Sequence, residues 1–444
     1  MTTAVSYILS TLTAHGEQAY IVGGCVRDKL MGRNPHDWDI CTSALPSQTE
    51  AIFREAGFSV IPTGIKHGTV TVVIDNEPFE ITTFRVDGDY EDGRHPDRVK
   101  FVSDVTEDLA RRDFTMNAIA YSPVTGLIDP FHGADDIKNG IIRCVGNPDQ
   151  RFEEDALRIM RAIRFSATLG FSLDVNTEKS TREHLSLLDS IARERIREEL
   201  LKLLRGVTVG PTLMEYSDFI TQIIPELKPC IGFRQNNPYH IYDVWEHIVH
   251  AVDIAEPAPE LRMVLLLHDI GKPLCYAEDE NHVGHFHGHG KISAEIARIV
   301  LNRLRFSNEE ISRIVQLVAI HDRRIEPTKK AVRRMLNEIG SEQFDQFLKV
   351  RKADILAQNP DPVLLKPRLE KIKTLKTLKA QILEEQECFS LKDLAVNGRD
   401  LIAAGVKPGP EIGHVLQYLL DKVLEDTALN DKEKLLSIAK ERTP

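Results

Sequence analysis

The hydrophobic pattern changes period once, near residue 150, and that change limits the fold more than any other feature of the chain. Before it, short apolar runs stand between turn residues. Ala19-Tyr20-Ile21-Val22 runs into Gly23-Gly24. Thr69–Ile74 and residues 79–84 flank Asp75-Asn76-Glu77-Pro78, which predicts a paired β-ribbon. After it, Ala156, Ile159, Met160, Ile163 and Ala167 recur at i, i+3, i+4, i+7 and i+11, one stripe of a helix. Helix dominates from there on, so the chain is α+β, a mixed head followed by an all-α remainder. At 444 residues it is too long for one core.

The head carries the chemistry. Gly23-Gly24-Cys25-Val26-Arg27-Asp28 follows a strand and opens a helix. Glycines there let the backbone approach a phosphate, the helix start offers N–H donors, and Arg27 adds a charge-assisted contact. Downstream, Asp37-Trp38-Asp39 leads into Ile40. Residues two apart on a strand face the same side, so two carboxylates converge on one spot. Their repulsion is costly unless a cation lies between them, and hard oxygen ligands beside phosphate favour Mg2+. Metal-assisted phosphoryl transfer is the chemistry such a pair serves, with Glu80 on the ribbon as a candidate third carboxylate.

With Gly-Gly followed by Asp-x-Asp, the chain resembles the nucleotidyltransferase superfamily of DNA polymerase β, and within it the bacterial class II CCA-adding enzymes and their poly(A) polymerase relatives. Further matches follow in order over most of the chain: Arg111-Arg112-Asp113-Phe114-Thr115-Met116-Asn117-Ala118, then Asp129-Pro130 with Gly133 and Asp136, then Glu154-Asp155-Ala156-Leu157-Arg158. The resemblance implies a polymerase-β-like head (1–140), an elongated helical neck that reads the nucleotide base (141–230), an HD-domain body (231–362) and a helical tail that binds tRNA (363–444). It assigns Arg112 and Asp113 to the incoming nucleotide, where an Asp can accept from a 2′-hydroxyl and an Arg can bind phosphate. Asp129-Pro130 is like the family's hinge between head and neck and is given no chemistry.

Asp155 and Arg158, placed on one helix three residues apart, are neighbours on its surface and lie off the core stripe. Cytosine and adenine both present an exocyclic amino donor beside a ring-nitrogen acceptor. A carboxylate accepts from the first and a guanidinium donates to the second; uracil and guanine set an oxygen against the carboxylate instead. One acid–guanidinium pair thus accepts C and A without a template. The resemblance implies that Arg161 and Arg164 also help bind nucleotide, although helical rotation turns Arg164 toward RNA phosphate as an alternative. Arg193, Arg195 and Arg197 extend this basic patch.

Residues 85–99 are charged, glycine-containing and non-periodic, a mobile loop. In the family an intact loop here accompanies the switch from CTP to ATP, which argues for CCA or A addition. His247, His268-Asp269, His289, His321 and Asp354 follow the H…HD…H…H…D order of HD-domain metal phosphohydrolases. This set suits a second divalent metal. His285 and His287 compete with His289, which the resemblance favours. The hydrolase substrate implied is a phosphoester or 2′,3′-cyclic phosphate at an RNA end.

Net charge is −11, so a nucleic-acid partner requires local cation clusters. A second one is the run 364–386 with Lys366, Arg368, Lys371, Lys373, Lys376 and Lys379, for the phosphates of the tRNA acceptor and TΨC arms. The six cysteines form no C-x-x-C pair, no apolar run is long enough to span a membrane, and the first residues lack a leader pattern, so a cytoplasmic location is expected. The function implied is template-independent CCA addition to tRNA from CTP and ATP. A-adding enzyme and poly(A) polymerase are the near alternatives, and a metal phosphohydrolase with a vestigial head is the distant one.

Overall fold

A computed structural model describes residues 1–35, 37–88 and 99–442. The chain divides into two compact units, Met1–Pro225 and Glu226–Pro444.

The first unit begins with α1 (Thr3–Ala14), β1 (Ala19–Val22), α2 (Gly24–Leu30), β2 (Ile40–Thr42), α3 (Pro46–Glu55) and β3 (Ser59–Gly64). The ribbon follows as β4 (Thr69–Ile74) and β5 (Glu77–Thr83), then β6 (Arg85–Asp87), β7 (Val99–Phe101), α4 (Val105–Ala110), β8 (Ala120–Ser122), β9 (Gly126–Ile128) and α5 (Gly133–Asn139). Seven strands make one mixed sheet in the order β3-β4-β5-β2-β1-β8-β9, in which β2 and β5 run parallel. β1 is buried along its whole length, as expected where a strand is covered on both faces. Tyr20, Val22, Cys41, Phe84, Val105, Leu109, Ala118, Ala120 and Val145 form one core of the head.

The ribbon turn is tighter than the four residues expected. Asp75 and Asn76 both take positive φ (51° and 65°), and Ile74 pairs directly with Glu77. That is the two-residue geometry whose twist suits a hairpin, and Asn and Asp tolerate it best after glycine. Pro78 lies inside β5, but pairing with β2 starts only at Ile81, so its missing N–H breaks no ladder. β6 pairs with β7 at the base of the charged 85–99 segment; the remainder of that expected loop, 89–98, lies outside the described residues.

The Asp129-Pro130 segment is a packed turn. Asp129 accepts from the N–H groups of Gly133 (2.7 Å) and Ala134 (2.8 Å), which starts α5. Asp136 accepts from Thr115 Oγ1 at 2.6 Å and pairs with Arg143 at 3.2 Å. A Cβ on Gly133 would stand 2.1 Å from the carbonyl oxygen of Thr115, so only glycine allows this approach.

Helices follow: α6 (Pro148–Glu154), α7 (Leu157–Leu169), α8 (Val175–Glu183), α9 (Arg193–Leu203), α10 (Val209–Glu215) and α11 (Ser217–Ile223). The stripe Ala156, Ile159, Met160, Ile163 and Ala167 is buried as its spacing predicts, with Ile196, Leu200 and Leu203 of α9 also in the core.

The second unit is helical: α12 (Val244–Ile254), α13 (Pro259–Leu267), α14 (His289–Arg303), α15 (Asn308–Ile320), α16 (Lys329–Leu356, broken at Gly340), α17 (Pro362–Glu384), α18 (Gly398–Ala403), α19 (Pro410–Glu425) and α20 (Lys432–Arg442). The last three close over their own core of Leu401, Leu419, Leu420, Val423, Leu435 and Ala439. No helix among the described residues is long and apolar enough to cross a membrane.

The basic run becomes α17, but not every cation on it faces outward. Lys379 is buried and reaches Ser341 O (2.8 Å) and Asp345 (2.6 Å). Arg368 turns toward Gln358. Lys366, Lys373 and Lys376 are exposed, and Lys373 pairs with Glu370 at 2.6 Å. The helix packs against α16, so its buried face draws in the cations that share it.

Gly133→Ala should lower stability by at least about 2 kcal/mol, the range for overpacking against fixed backbone. Thermal melting of the variant at the wild-type Tm would show that the close approach is not a constraint.

Candidate active site

β2 begins one residue after Asp39, whose carbonyl already accepts from Val22 N at 3.0 Å. Asp37 precedes it in a bend, its Oδ1 accepting from Trp38 N at 3.0 Å. The two acids therefore stand at the strand's entrance and not along it. Asp39 keeps an exposed edge, yet packing removes much of its carboxyl from bulk water and raises its pKa; Arg112 opposes this, Asp37 adds to it, and Arg161 opposes. Two acids crowded this way, with one carboxylate held above its usual range, fit a divalent cation. The parallel register pairing Ile40 with Ile81 puts Glu80 level with Asp39, and Glu80 is exposed. Neighbouring residues at one level of a sheet share a face, which leaves Glu80 a candidate for the third carboxylate.

Gly23 is the N-cap of α2 and has φ 78°. A Cβ there would lie 2.8 Å from Arg112 Nη1 and 3.7 Å from Asp39 Oδ2. Gly23, Arg112 and Asp39 thus border one point, with Gly24 opening the helix beside them.

Arg27 donates to Asn117 Oδ1 at 2.7 Å, and Asn117 Nδ2 donates to Asp113 Oδ1 at 3.1 Å. Asp113 Oδ1 also accepts from Phe114 N (2.8 Å), and Oδ2 accepts from Arg161 Nε (2.7 Å). Burial by itself would raise the Asp113 pKa; Arg161, Asn117 and Phe114 override it and hold the group at about 2. Both Asp113 oxygens therefore have protein partners. Arg27, Arg161 and Arg164 surround the Phe165 ring at 5.1, 5.6 and 3.8 Å from its centroid. Arg164 pairs with buried Glu199 at 2.7 Å. Desolvation pulls Arg164 down to about 10 although Glu199 opposes it. Arg164 thus stays beside Arg161 around the Phe165 ring.

Asp155 and Arg158 do not form the surface pair predicted for a continuous helix. Asp155 stands in extended backbone (φ −146°) between α6 and α7, where its Oδ1 caps Leu157 N at 3.1 Å. Its Oδ2 pairs with Arg195 at 3.1 Å. Arg158 is 7% exposed, paired with Glu154 at 2.6 Å, and donates to Arg151 O (3.0 Å) and Arg111 O (3.1 Å). A capping acid ends one helix and starts the next, so the i,i+3 geometry does not apply. The charge of Asp155 acts on Arg161, and that of Arg161 acts on Asp39. Asn117, Phe165, Glu154 and Glu199 were not singled out from sequence. Glu154 was visible as the i−4 partner of Arg158; the others required tertiary contacts.

In the second unit the six residues of the H…HD…H…H…D series converge. α13 ends at His268, its C-cap, which delivers His268 and Asp269 together. His247 Nε2 lies 3.2 Å from His268 Nε2, from Asp269 Oδ2 and from Asp354 Oδ1. His289 Nε2 lies 3.1 Å from His321 Nε2, and Asp269 Oδ1 is 3.3 and 3.4 Å from these two nitrogens. Each Nδ1 faces a main-chain carbonyl: Ala357 for His247, Leu265 for His268, Phe286 for His289 and Val318 for His321. A nitrogen facing a carbonyl must carry the proton, leaving the Nε2 lone pairs pointed at one another. Lone pairs 3.1–3.2 Å apart repel unless a cation joins them. Asp269 Oδ1 is buried without a hydrogen-bond partner among the described residues. The donor set thus fits divalent metal, in groups around His247/His268/Asp354 and His268/Asp269/His321. His289 belongs to the cluster, whereas His285 bonds Asp279 at 2.9 Å and stacks on His287. Lys272, buried 2.6 Å from Asp269 Oδ2, is a member that the residue order alone did not single out.

Asp113→Asn should destabilise the first unit by about 3 kcal/mol, since it strips Arg161 of a buried partner. With a folded pKa of about 2 against about 3.9 unfolded, the carboxylate stabilises above pH ~4 and loses this effect as pH falls toward 2. The Tm gap between wild type and variant should be constant above pH ~5 and narrow below pH ~4. A gap that persists unchanged to pH ~2 would rule out the ionised network.

Residues 19–143 match the family model described as the poly A polymerase head domain. Residues 170–231 match "Probable RNA and SrmB- binding site of polymerase A", and residues 285–439 match a tRNA nucleotidyltransferase domain 2. The CCA-adding enzyme of Lactobacillus helveticus is 33% identical over 432 residues, covering 96% of this chain and 94% of the relative. That of Limosilactobacillus reuteri is 34% identical over 443 residues, covering 98% and 96%. The crystal structure of the Bacillus stearothermophilus CCA-adding enzyme in complex with CTP superposes with a TM-score of 0.74 at 31% identity, covering 100% of this chain and 98% of that one. A polymerase-β-like head, the acid pair at its cleft and full-length similarity agree: this chain belongs to the family of CCA-adding enzymes.

Proposed function

We propose that this chain adds CCA to the 3′ end of tRNA from CTP and ATP, without a template and with release of pyrophosphate. The observation carrying this reading is the gathering of Asp39 and Arg112 at Gly23, with Asp37 and Arg161 of the Asp113 network acting on Asp39, in a chain of this family. Asp37 and Asp39, with Glu80 level with them, would hold Mg2+. Bound there, it would supply activation of the tRNA 3′-hydroxyl and neutralisation of the triphosphate. Gly24, Arg27 and Arg112 receive the phosphates through helix-start N–H groups and guanidinium donors. Asp113 positions Arg161 and, through Asn117, Arg27.

Asp155 and Arg158 choose the base. The Asp155 carboxylate has roughly four lone-pair sites, so Arg195 and Leu157 N leave it able to accept from the amino group of C or A. Glu154 and two carbonyls orient Arg158, which donates to the ring nitrogen. Uracil or guanine leaves an acceptor facing the acid, and that unpaired contact is what rejects it. Arg164 supports this pocket through Phe165. The exposed Lys366, Lys373 and Lys376 meet tRNA phosphates. Six thiols without a disulfide suit a cytoplasmic setting.

Labelled NTPs offered with tRNA ending at the discriminator base, at C and at CC should yield two C and one A, with no U or G. Asp39→Ala should reduce this about a thousandfold. Asp155→Ala should reduce it about ten- to a hundredfold and admit U. Growth beyond one A would instead mark a poly(A) polymerase, and neglect of CTP an A-adding enzyme.

The converged cluster in the second unit supports a second reading, a metal phosphohydrolase site held by His247, His268, Asp269, His289, His321 and Asp354. Full-length protein should retain about one to two equivalents of divalent metal through gel filtration, and Asp269→Ala should lose it while still adding CCA. Equal metal content in both proteins would exclude the assignment.

A further inference from the structure

The histidine cluster opens into a cavity of about 350 Å³ lined in part by Asp269, His289, His321 and Asp354. A neighbouring cavity of about 440 Å³ shares with it Tyr239, Arg324, Arg351 and Gln358, so the two adjoin along one wall. The neighbour is strongly cationic. Arg323, Arg324, Arg351, Arg368 and Lys371 line it, and Asp322 is the one acid among its described lining residues.

Part of this charge is uncompensated. Arg323 is taken up by Glu338 at 2.6 Å and Arg351 by Asp354 at 3.2 Å. Lys371 has a long ion pair with Glu326 at 3.9 Å. Arg368 donates through Nη2 to Gln358, which in turn donates to Asp354 Oδ1 at 2.7 Å; its Nη1 is buried without a hydrogen-bond partner. Desolvation lowers the Arg368 pKa, Asp354 opposes this, and the nearby charges of Arg351 and Arg324 lower it further. Like charges gathered in a partly dry space repel until an anion joins them. The remaining wall suits a nucleoside: Phe347, Leu348 and Ile325 are apolar, and the Tyr239 ring is 48% exposed.

We propose that this chamber is a second-phosphate subsite, selecting nucleotides that carry phosphate on both sides of one ribose. The inference rests on the phosphohydrolase reading of the adjoining cluster. One phosphoester lies over Asp269 and Asp354, while Arg368 and Lys371 hold the other phosphate and Tyr239 meets the base. Hydrolysis adds water across the first P–O bond: the hydroxyl goes to phosphorus and the proton to the departing ribose oxygen. A 3′-phosphorylated RNA end and a free nucleoside 3′,5′-bisphosphate offer this same chemistry.

The test is calorimetric titration of full-length protein, metal-free and metal-loaded, with saturating CTP present to occupy the head. Adenosine 3′,5′-bisphosphate is compared with 5′-AMP and 3′-AMP, and a short RNA bearing 3′-phosphate with its 3′-hydroxyl form. Wild type should favour the doubly phosphorylated ligand about tenfold in at least one arm. Arg368→Gln and Lys371→Gln, the second a partly exposed change that spares the fold, should each bring that ratio toward one at unchanged metal content. Equal affinities in both arms, or variants that weaken both ligands alike, overturn the proposal. A preference retained by protein that takes up no metal supports the subsite and removes the phosphohydrolase reading.

Discussion

A buried carboxylate with three protein partners governs the first unit. Asp113 binds Phe114 N, the Asn117 amide and Arg161, and through Asn117 it reaches Arg27. A lone buried acid would take up a proton; this one is surrounded by donors, so its charge is kept and its neighbours are oriented by it. The helix after Gly23-Gly24, the Arg112-Asp113 turn and α7 are separate in sequence, yet this network joins them at one cleft. Phe165 completes the junction by giving three guanidinium groups a common apolar surface.

The second unit shows the same logic with metal-binding groups. Asp269 faces two histidine pairs, one through each oxygen, and Lys272 anchors it. Main-chain carbonyls fix each imidazole's protonated side, so the arrangement is set before any metal arrives. Beyond it, Gln358 and Arg351 connect Asp354 to a cationic chamber. The histidine cluster and the cationic chamber are thus coupled through one carboxylate.

How legible these features were depended on whether they are local. The Asp75-Asn76 turn and the α7 core stripe follow from neighbouring residues, and the structure agrees apart from the tighter turn. The Asp155–Arg158 geometry is not legible in the spacing, which reads as one helix where the chain breaks into two at Asp155. Similarly, Lys379 and Arg368 looked like part of a solvated basic face; packing of α17 on α16 turned them inward, where long side chains find carbonyl and amide partners. Asn117 lay in view within its motif, but nothing local connects it to Arg27, ninety positions away.

The sequence by itself determined the class of chain: a mixed head, a helical remainder, an acid pair beside a glycine turn and six metal-type residues in order. These rest on local spacing, which backbone geometry converts directly into strands, helices and shared faces. Only the tertiary structure decided which charges neutralise one another. Glu154 takes Arg158, Arg195 takes Asp155, Glu199 takes Arg164, and Arg368 enters a cavity. Such pairings depend on distances and desolvation between distant segments, and neither quantity exists until the chain has packed.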